Sequence, residues 1–169
     1  MLLSSYIRKS YSHGGDTSAG KRKTARPITT RTPMHVVFSA KVEQQEYSFF
    51  TKRNAQLVKR VFKTYKKRYG LKIFHFAMSP NSIHLIVKAR TRSGLQTFMK
   101  LFAGTIAKSI LIECQTKRSK RKFWKNRAFT QFINLGKEFS MVMRNIWFRE
   151  ILRLINNYTQ DVKFNRGPP

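Results

Sequence analysis

The stretch Met78-Ser79-Pro80-Asn81-Ser82-Ile83-His84-Leu85-Ile86-Val87 holds the residues best placed for chemistry. In an extended strand Ser82 and His84 project from one face, because side chains alternate with a period of two. His75 alternates with Leu71, Ile73 and Ala77 on the segment before it. Across a hairpin it could share a sheet face with His84, and such a pair could bind a metal ion. A packed or hydrogen-bonded ring is the simpler reading of His75. His35 and His13 have no partner in the sequence. Tyr158, in Asn156-Asn157-Tyr158-Thr159-Gln160, is a phenol that could act as a nucleophile if the end of the last helix swung onto the sheet. Its simpler reading is a polar helix end. The chain has 7 acids, so carboxylate ligands are scarce, and Glu113 and Glu138 read as helix-surface residues. The single Cys114 excludes an internal disulfide and a Cys-based zinc site; it reads as a small packed or half-exposed residue.

A second constellation interleaves cations with aromatics. Lys117, Arg118, Lys120, Arg121 and Lys122 run into Phe123, Trp124, Lys125 and Arg127. Cations neutralise phosphates, and aromatics can stack on unpaired bases. Trp124 is open between core packing and stacking. Lys59, Arg60, Lys63, Lys66, Lys67 and Arg68 give a predicted helix a cationic face. Lys21, Arg22, Lys23, Arg26 and Arg31 do the same for the N-terminal region.

The whole chain repeats this bias. Its 169 residues carry 35 Lys and Arg against 7 Asp and Glu, a formal net charge of +28. A solvated protein surface intersperses both signs, and this one has almost no acids to intersperse. Self-repulsion of that size destabilises the compact state unless a polyanion compensates it. Nucleic acid is the partner expected, since phosphate backbones bind basic surfaces without any sequence motif. An anionic membrane surface would attract the same charge, but no stretch approaches the roughly 20 apolar residues that span a bilayer. Neither a membrane nor a small-molecule substrate is expected. Hydrophobic residues make up 41% and aromatics 13%, too apolar for a disordered basic tail.

Several elements must position these residues. Residues 1–33, with Gly14-Gly15, Gly20, Pro27, Pro33 and many Ser and Thr, read as an extended basic arm that cannot fold alone. Its opening ten residues contain Arg and Ser and no acid. They carry a weak mitochondrial transit signature beside the expected bacterial cytoplasmic location. From Met34 the pattern turns periodic. Met34–Ala40 is predicted as a strand. Lys52–Tyr69 is predicted as a helix with Leu57, Val58, Val61, Phe62, Tyr65 and Tyr69 on one stripe, stopped by Gly70. Leu71–Met78 and Ser82–Ala89 form a hairpin around Ser79-Pro80-Asn81. Thr91–Gly94 is a loop, Leu95–Ile112 a helix, Thr116–Lys122 a basic loop and Ala128–Ile133 a strand. Lys137–Asn157 reads as a last amphipathic helix, with Phe139, Val142, Met143, Ile146, Trp147, Leu154 and Ile155 on its apolar side. The order β-α-β-β-α-β plus a helix is the ferredoxin-like α+β arrangement: an antiparallel sheet with two helices on one face. A basic arm (1–33), a nucleic-acid-binding domain (34–160) and a tail (161–169) make up the expected organisation.

The segment Pro80-Asn81-Ser82-Ile83-His84-Leu85-Ile86-Val87 resembles the "PNHVHLLV" strand of the HUH single-strand transposases, the REP-associated tyrosine transposases among them. Met34-His35-Val36-Val37-Phe38 looks like that family's first strand, and Leu95-Gln96-Thr97-Phe98-Met99-Lys100 like the start of its second helix. Lys122-Phe123-Trp124-Lys125-Asn126-Arg127-Ala128-Phe129 resembles its "FW-x-x-R-x-F" segment. Together they span Met34 to about Phe139. The resemblance implies two imidazoles on one strand holding a divalent metal that polarises the scissile phosphate. It also implies a helix-borne tyrosine that attacks this phosphate. Two departures matter. Ser82 stands where the family has its first His, leaving His84. Ile106, in the second helix, stands nearest the expected tyrosine.

A transposase-derived domain that keeps nucleic-acid binding and has lost strand cleavage is therefore expected, with Ser82 and His84 as its relic site and no cofactor. Its substrate would be hairpin-bearing single-stranded DNA or structured RNA. The small size, charge and basic arm also resemble a ribosomal or ribosome-associated protein, in composition alone. The rival is an active transposase that uses Mg²⁺ or Mn²⁺ in a rebuilt site. If the basic surface contacts about 6–10 phosphates, affinity for nucleic acid should fall roughly 10³–10⁵-fold between 50 and 200 mM salt. Fluorescence-anisotropy titrations across that range check it; a flat response means a different partner.

Overall fold

The computed structural model describes residues 12–18, 20–21, 24–41, 47–113, 122–133, 140–141 and 144. The chain divides into two units, Met1–Asn134 and Leu135–Pro169. In the second, Ser140, Met141 and Arg144 are described, and they are helical and exposed. The rest of the predicted helix Lys137–Asn157 lies outside the described residues.

The first unit is a five-stranded antiparallel sheet with two helices. Its strands are β1 (Ser12–His13), β2 (Met34–Ser39), β3 (Leu71–Met78), β4 (Ser82–Ala89) and β5 (Phe129–Phe132). The spatial order is β1-β5-β2-β4-β3. Omitting β1, this is the strand order of the ferredoxin-like split βαβ unit, in which each helix crosses over one intervening strand.

The pleat sorts the residues. In β2, Met34, Val36 and Phe38 are buried while His35, Val37 and Ser39 face the other way. In β4, Ile83, Leu85, Val87 and Ala89 join them. The helices cover this face. Helix α1 (Lys52–Arg68) brings Leu57, Val58, Val61 and Phe62. Helix α2 (Arg92–Glu113) brings Leu95, Phe98, Met99, Phe102, Ile106 and Ile110. Phe98 stacks on Phe102, Phe102 packs against Phe38, and Phe62 stacks on Phe76. Contrary to the expectation from sequence, Arg92–Ile112 would suffice to cross a bilayer by length and composition alone. Its apolar stripe packs instead into the core beneath the sheet.

Local chemistry sets the helix limits. The Thr51 side chain accepts from Asn54 N at the start of α1. Gly70, at φ +59°, ends it in the left-handed conformation that glycine tolerates. Helix α2 begins one turn earlier than its periodicity suggests, because Thr91 caps it by accepting from Gly94 N at 3.1 Å. The expected loop Thr91–Gly94 is therefore largely cap and first turn.

The N-terminal region departs most from expectation. Over its described residues it is docked. Ser12 and His13 pair with Gln131 and Thr130 and extend the sheet past β5. A 3₁₀ turn follows over Gly15–Ser18. Pro33 O accepts from Ile133 N at 2.9 Å, and Ile28 packs on the core. Gly14, at φ +84°, lies so close to β5 that a Cβ would stand 2.1 Å from Ala128 O. In composition this glycine suggests extension, yet it is what permits the close approach.

Gly14→Ala should therefore unfold at clearly lower denaturant than Gly20→Ala in chemical denaturation. Both lose roughly 1–2 kcal/mol to the left-handed backbone. Gly20 has nothing within 4 Å of its would-be Cβ, whereas Gly14 adds a backbone collision.

Candidate nucleic-acid interface and relic site

Central strand β4 carries Ser82 and His84 on the sheet face away from the helices. Its neighbour β2 is in register with it, Val37 opposite His84 and His35 opposite Ile86. His35 and His84 are thus diagonal neighbours on one face. Their rings stack at 24° with centroids 5.4 Å apart, and His35 Nε2 lies 3.2 Å from His84 Nδ1. His35, which has no partner in the sequence, is the histidine that the fold brings to His84.

His75 is not. A bulge between Ile73 and His75 breaks the alternation of β3. Ile73 packs toward the core, while His75 and Ala77 fall on the opposite face. Ala77 stands opposite His84 and His75 opposite Ile86, one pair further along. Nε2 of His75 is buried without a hydrogen-bond partner. His75 shares a sheet face with His84, as the sequence allows, but no hydrogen bond joins the two, and the simpler reading of a packed ring holds.

Hydrogen bonding orders the site. With the Asn81 carbonyl facing it, Ser79 donates to Asn81 Oδ1 at 3.1 Å. Ser82 must then give its proton to Ser79 Oγ, to which it is closely bonded. Ser82 Oγ is left to accept from His84 Nε2 at 3.1 Å. A neutral imidazole carries one N–H, so His84 Nδ1 is an acceptor and His35 Nε2–H donates to it. The chain runs in one direction, from His35 through His84, Ser82 and Ser79 to Asn81. Two imidazoliums would point N–H groups at each other, so the pair holds at most one extra proton. Ser82, a poor replacement for a metal ligand, is well suited to fixing one tautomer of His84.

Among the described residues, no group of three or more His, Cys, Asp and Glu side chains could hold a metal ion. Two imidazoles and a hydroxyl, with both His84 nitrogens engaged, do not fit Mg²⁺, which takes oxygen ligands in octahedral geometry.

Ile106 needs correction as a marker of the lost nucleophile. It is fully buried in the core on the helix-bearing face, the opposite side of the sheet from His84. A tyrosine there would lie in the core, so the isoleucine says nothing about nucleophilic chemistry. Tyr158 lies outside the described residues.

Lys59, Arg60, Lys63, Lys66, Lys67 and Arg68 are all exposed, and α1 has no acid among them. Lys21, Arg31, Lys122 and Arg127 are exposed as well. Lys125 pairs with Asp16 at 3.0 Å. Arg22, Lys23, Lys117, Arg118, Lys120, Arg121 and Cys114 lie outside the described residues. Trp124 is a core residue and not an open stacking surface. Its ring packs on Phe38, Phe49 and Phe123, and Nε1 donates to Ala103 O at 3.0 Å. Ala40 bridges to it, continuing the β2–β5 pairing past a bend.

A family model, "Transposase IS200 like", matches residues 29–146. The chain belongs to the IS200-like transposase family. A REP-associated tyrosine transposase bound to a REP hairpin superposes with a TM-score of 0.55 at 13% identity, covering 78% of this chain and 74% of that one. A transposase candidate from Deinococcus radiodurans R1 superposes at 0.46 with 14% identity, covering 80% of this chain and 97% of that one. No curated protein sequence matches. The first of these likenesses agrees with the ferredoxin-like sheet; family membership accounts for the Asn81–Val87 strand and the Phe123-Trp124 segment.

Nitrogen-15 NMR at a pH where the imidazoles are neutral should find His84 protonated on Nε2. A proton on Nδ1 would reverse the chain of donors. Ser82→Ala, which leaves that N–H without its acceptor, should cost about 1 kcal/mol in urea unfolding.

Proposed function

We propose that this transposase-family protein binds hairpin-bearing single-stranded DNA and does not cleave it. The observation that carries the reading is Ser82: it accepts from His84 Nε2 while His35 occupies Nδ1. The nitrogen lone pair that a metal would need is already committed inside the protein. Family membership and the fold shared with a hairpin-bound transposase support a single-stranded substrate. The net charge of +28 supports a polyanion of any kind. A cationic α1 face supplies the attraction to the phosphates.

The test is incubation of full-length protein with hairpin-bearing single-stranded DNA and Mg²⁺ or Mn²⁺, followed by denaturing electrophoresis. Retention on the DNA with no cut and no covalent adduct is expected. An adduct abolished by Tyr158→Phe would overturn the inactive reading. Preference for structured RNA in competition would overturn the choice of DNA.

A further inference from the structure

Arg26 is half-buried at the outer edge of the sheet. Its NH1 donates to Thr130 Oγ1 at 2.8 Å. Thr130 is itself buried and lies 3.4 Å from the His13 carbonyl, to which its hydroxyl donates, so it is held from both sides. The other guanidinium arm, NH2, lies 3.3 Å from where a Gly14 Cβ would stand. Arg92 NH2 bonds the Arg26 carbonyl at 3.0 Å and tethers the backbone. Such geometry fixes a planar five-donor group in place and leaves most of its donors unspent.

Nothing described neutralises it. Burial, and then repulsion from Arg127, hold Arg26 below the usual guanidinium range. Arginine nonetheless stays protonated at neutral pH, so the folded protein retains an unfavourable charge pair. Asp16, on the neighbouring turn, is bonded to Lys125 Nζ at 3.0 Å and Asn126 Nδ2 at 2.6 Å. Gly15 N, donating to the Arg127 backbone carbonyl at 2.8 Å, ties the Arg127 backbone to the same turn and leaves its side chain exposed. The charge of Arg127 is felt at the fixed Arg26 guanidinium, and among the described residues no carboxylate is bonded to either arginine. An anion from outside the chain would balance this charge.

We propose that Arg26 and Arg127 together grip one backbone phosphate of the bound nucleic acid, in a notch at the β1–β5 edge. Thr130 aims Arg26, and Arg127 closes on the phosphate from the exposed side. The contact differs from the cationic face of α1, where each lysine acts as a separate mobile charge. It rests on the nucleic-acid reading above and adds a fixed register point that reads no base.

The test uses full-length protein, hairpin-bearing single-stranded DNA and the variants Arg26→Gln, Arg127→Gln, their double, and Lys67→Gln as a comparator on α1. Each notch variant should weaken binding about tenfold, the loss expected for one charge-assisted hydrogen bond. The double should be scarcely weaker than either single, since both lose the same phosphate. The salt slope should fall by about one in all three. Singles that multiply in the double, or that weaken binding no more than Lys67→Gln, would overturn the notch. If Arg26→Gln does not fold, Arg127→Gln is decided by melting. In chloride it should melt above the parent, because a repulsion is gone. Replacing chloride with inorganic phosphate at equal ionic strength should raise the parent's Tm more than the variant's; equal shifts overturn the proposal. Wild type that binds no DNA refutes the proposed function, while the phosphate melts still judge the notch.

Discussion

The antiparallel ladder between β2 and β4 is the constraint on which the rest depends. With Val36 opposite Leu85 and Val37 opposite His84, alternate residues of both strands form one apolar face and one polar face. A slip of one residue would send the histidines into the core and the leucine to the other side. The apolar face recruits α1 and α2. The other face holds the His35–His84–Ser82 chain beside Val37 and the fully buried Ile86. Core and site are two sides of one register.

Charge imposes the second constraint. With 35 cations and 7 acids, the protein has few internal counter-ions to distribute. Asp16 serves Lys125 and Asn126 and ties the N-terminal turn to the segment before β5. Elsewhere the cations are spread over exposed α1 positions, where solvent screens them. Arg26 is the exception, desolvated and facing another arginine. A stable fold has no use for that pair by itself, which is why it points to an anionic partner. The Gly14 contact with Ala128 serves the same edge: it brings β1 close enough for His13 and Thr130 to build the surface that aims Arg26.

Ser82 gives His84 a hydrogen-bond partner on its own strand. A hydroxyl two residues from His84 on the same pleat is within reach of its ring nitrogen. It settles the tautomer and leaves the other nitrogen to His35. Trp124 follows the same logic of position over type. Set beside basic residues, it has the composition of a stacking platform, but the bridge to Ala40 holds it where its ring packs on Phe38 and Phe49.

Period and local stop signals made the elements legible in the sequence. The stripe Leu57–Phe62, the stop at Gly70, the Ser79-Pro80-Asn81 turn and the alternation in β4 are local properties of consecutive residues. From their order followed the ferredoxin-like sheet, and from the Asn81–Val87 strand the family. What the sequence could not determine depended on register and long-range approach. The bulge in β3 costs nothing visible in composition, yet it moves His75 off the core face of Ile73 and onto the face of His84. The pairing of His35 with His84 spans 49 positions and exists only because β2 lies beside β4. Ile106 has the position of a missing nucleophile in the sequence, but the sheet stands between it and the histidines. Likewise a glycine-rich, cation-rich N-terminus has the composition of a free arm, and only the steric opening at Gly14 lets its backbone finish the sheet. Local pattern decides which residues form an element and which face they share; only packing decides which faces meet, because those contacts join residues that the chain keeps far apart.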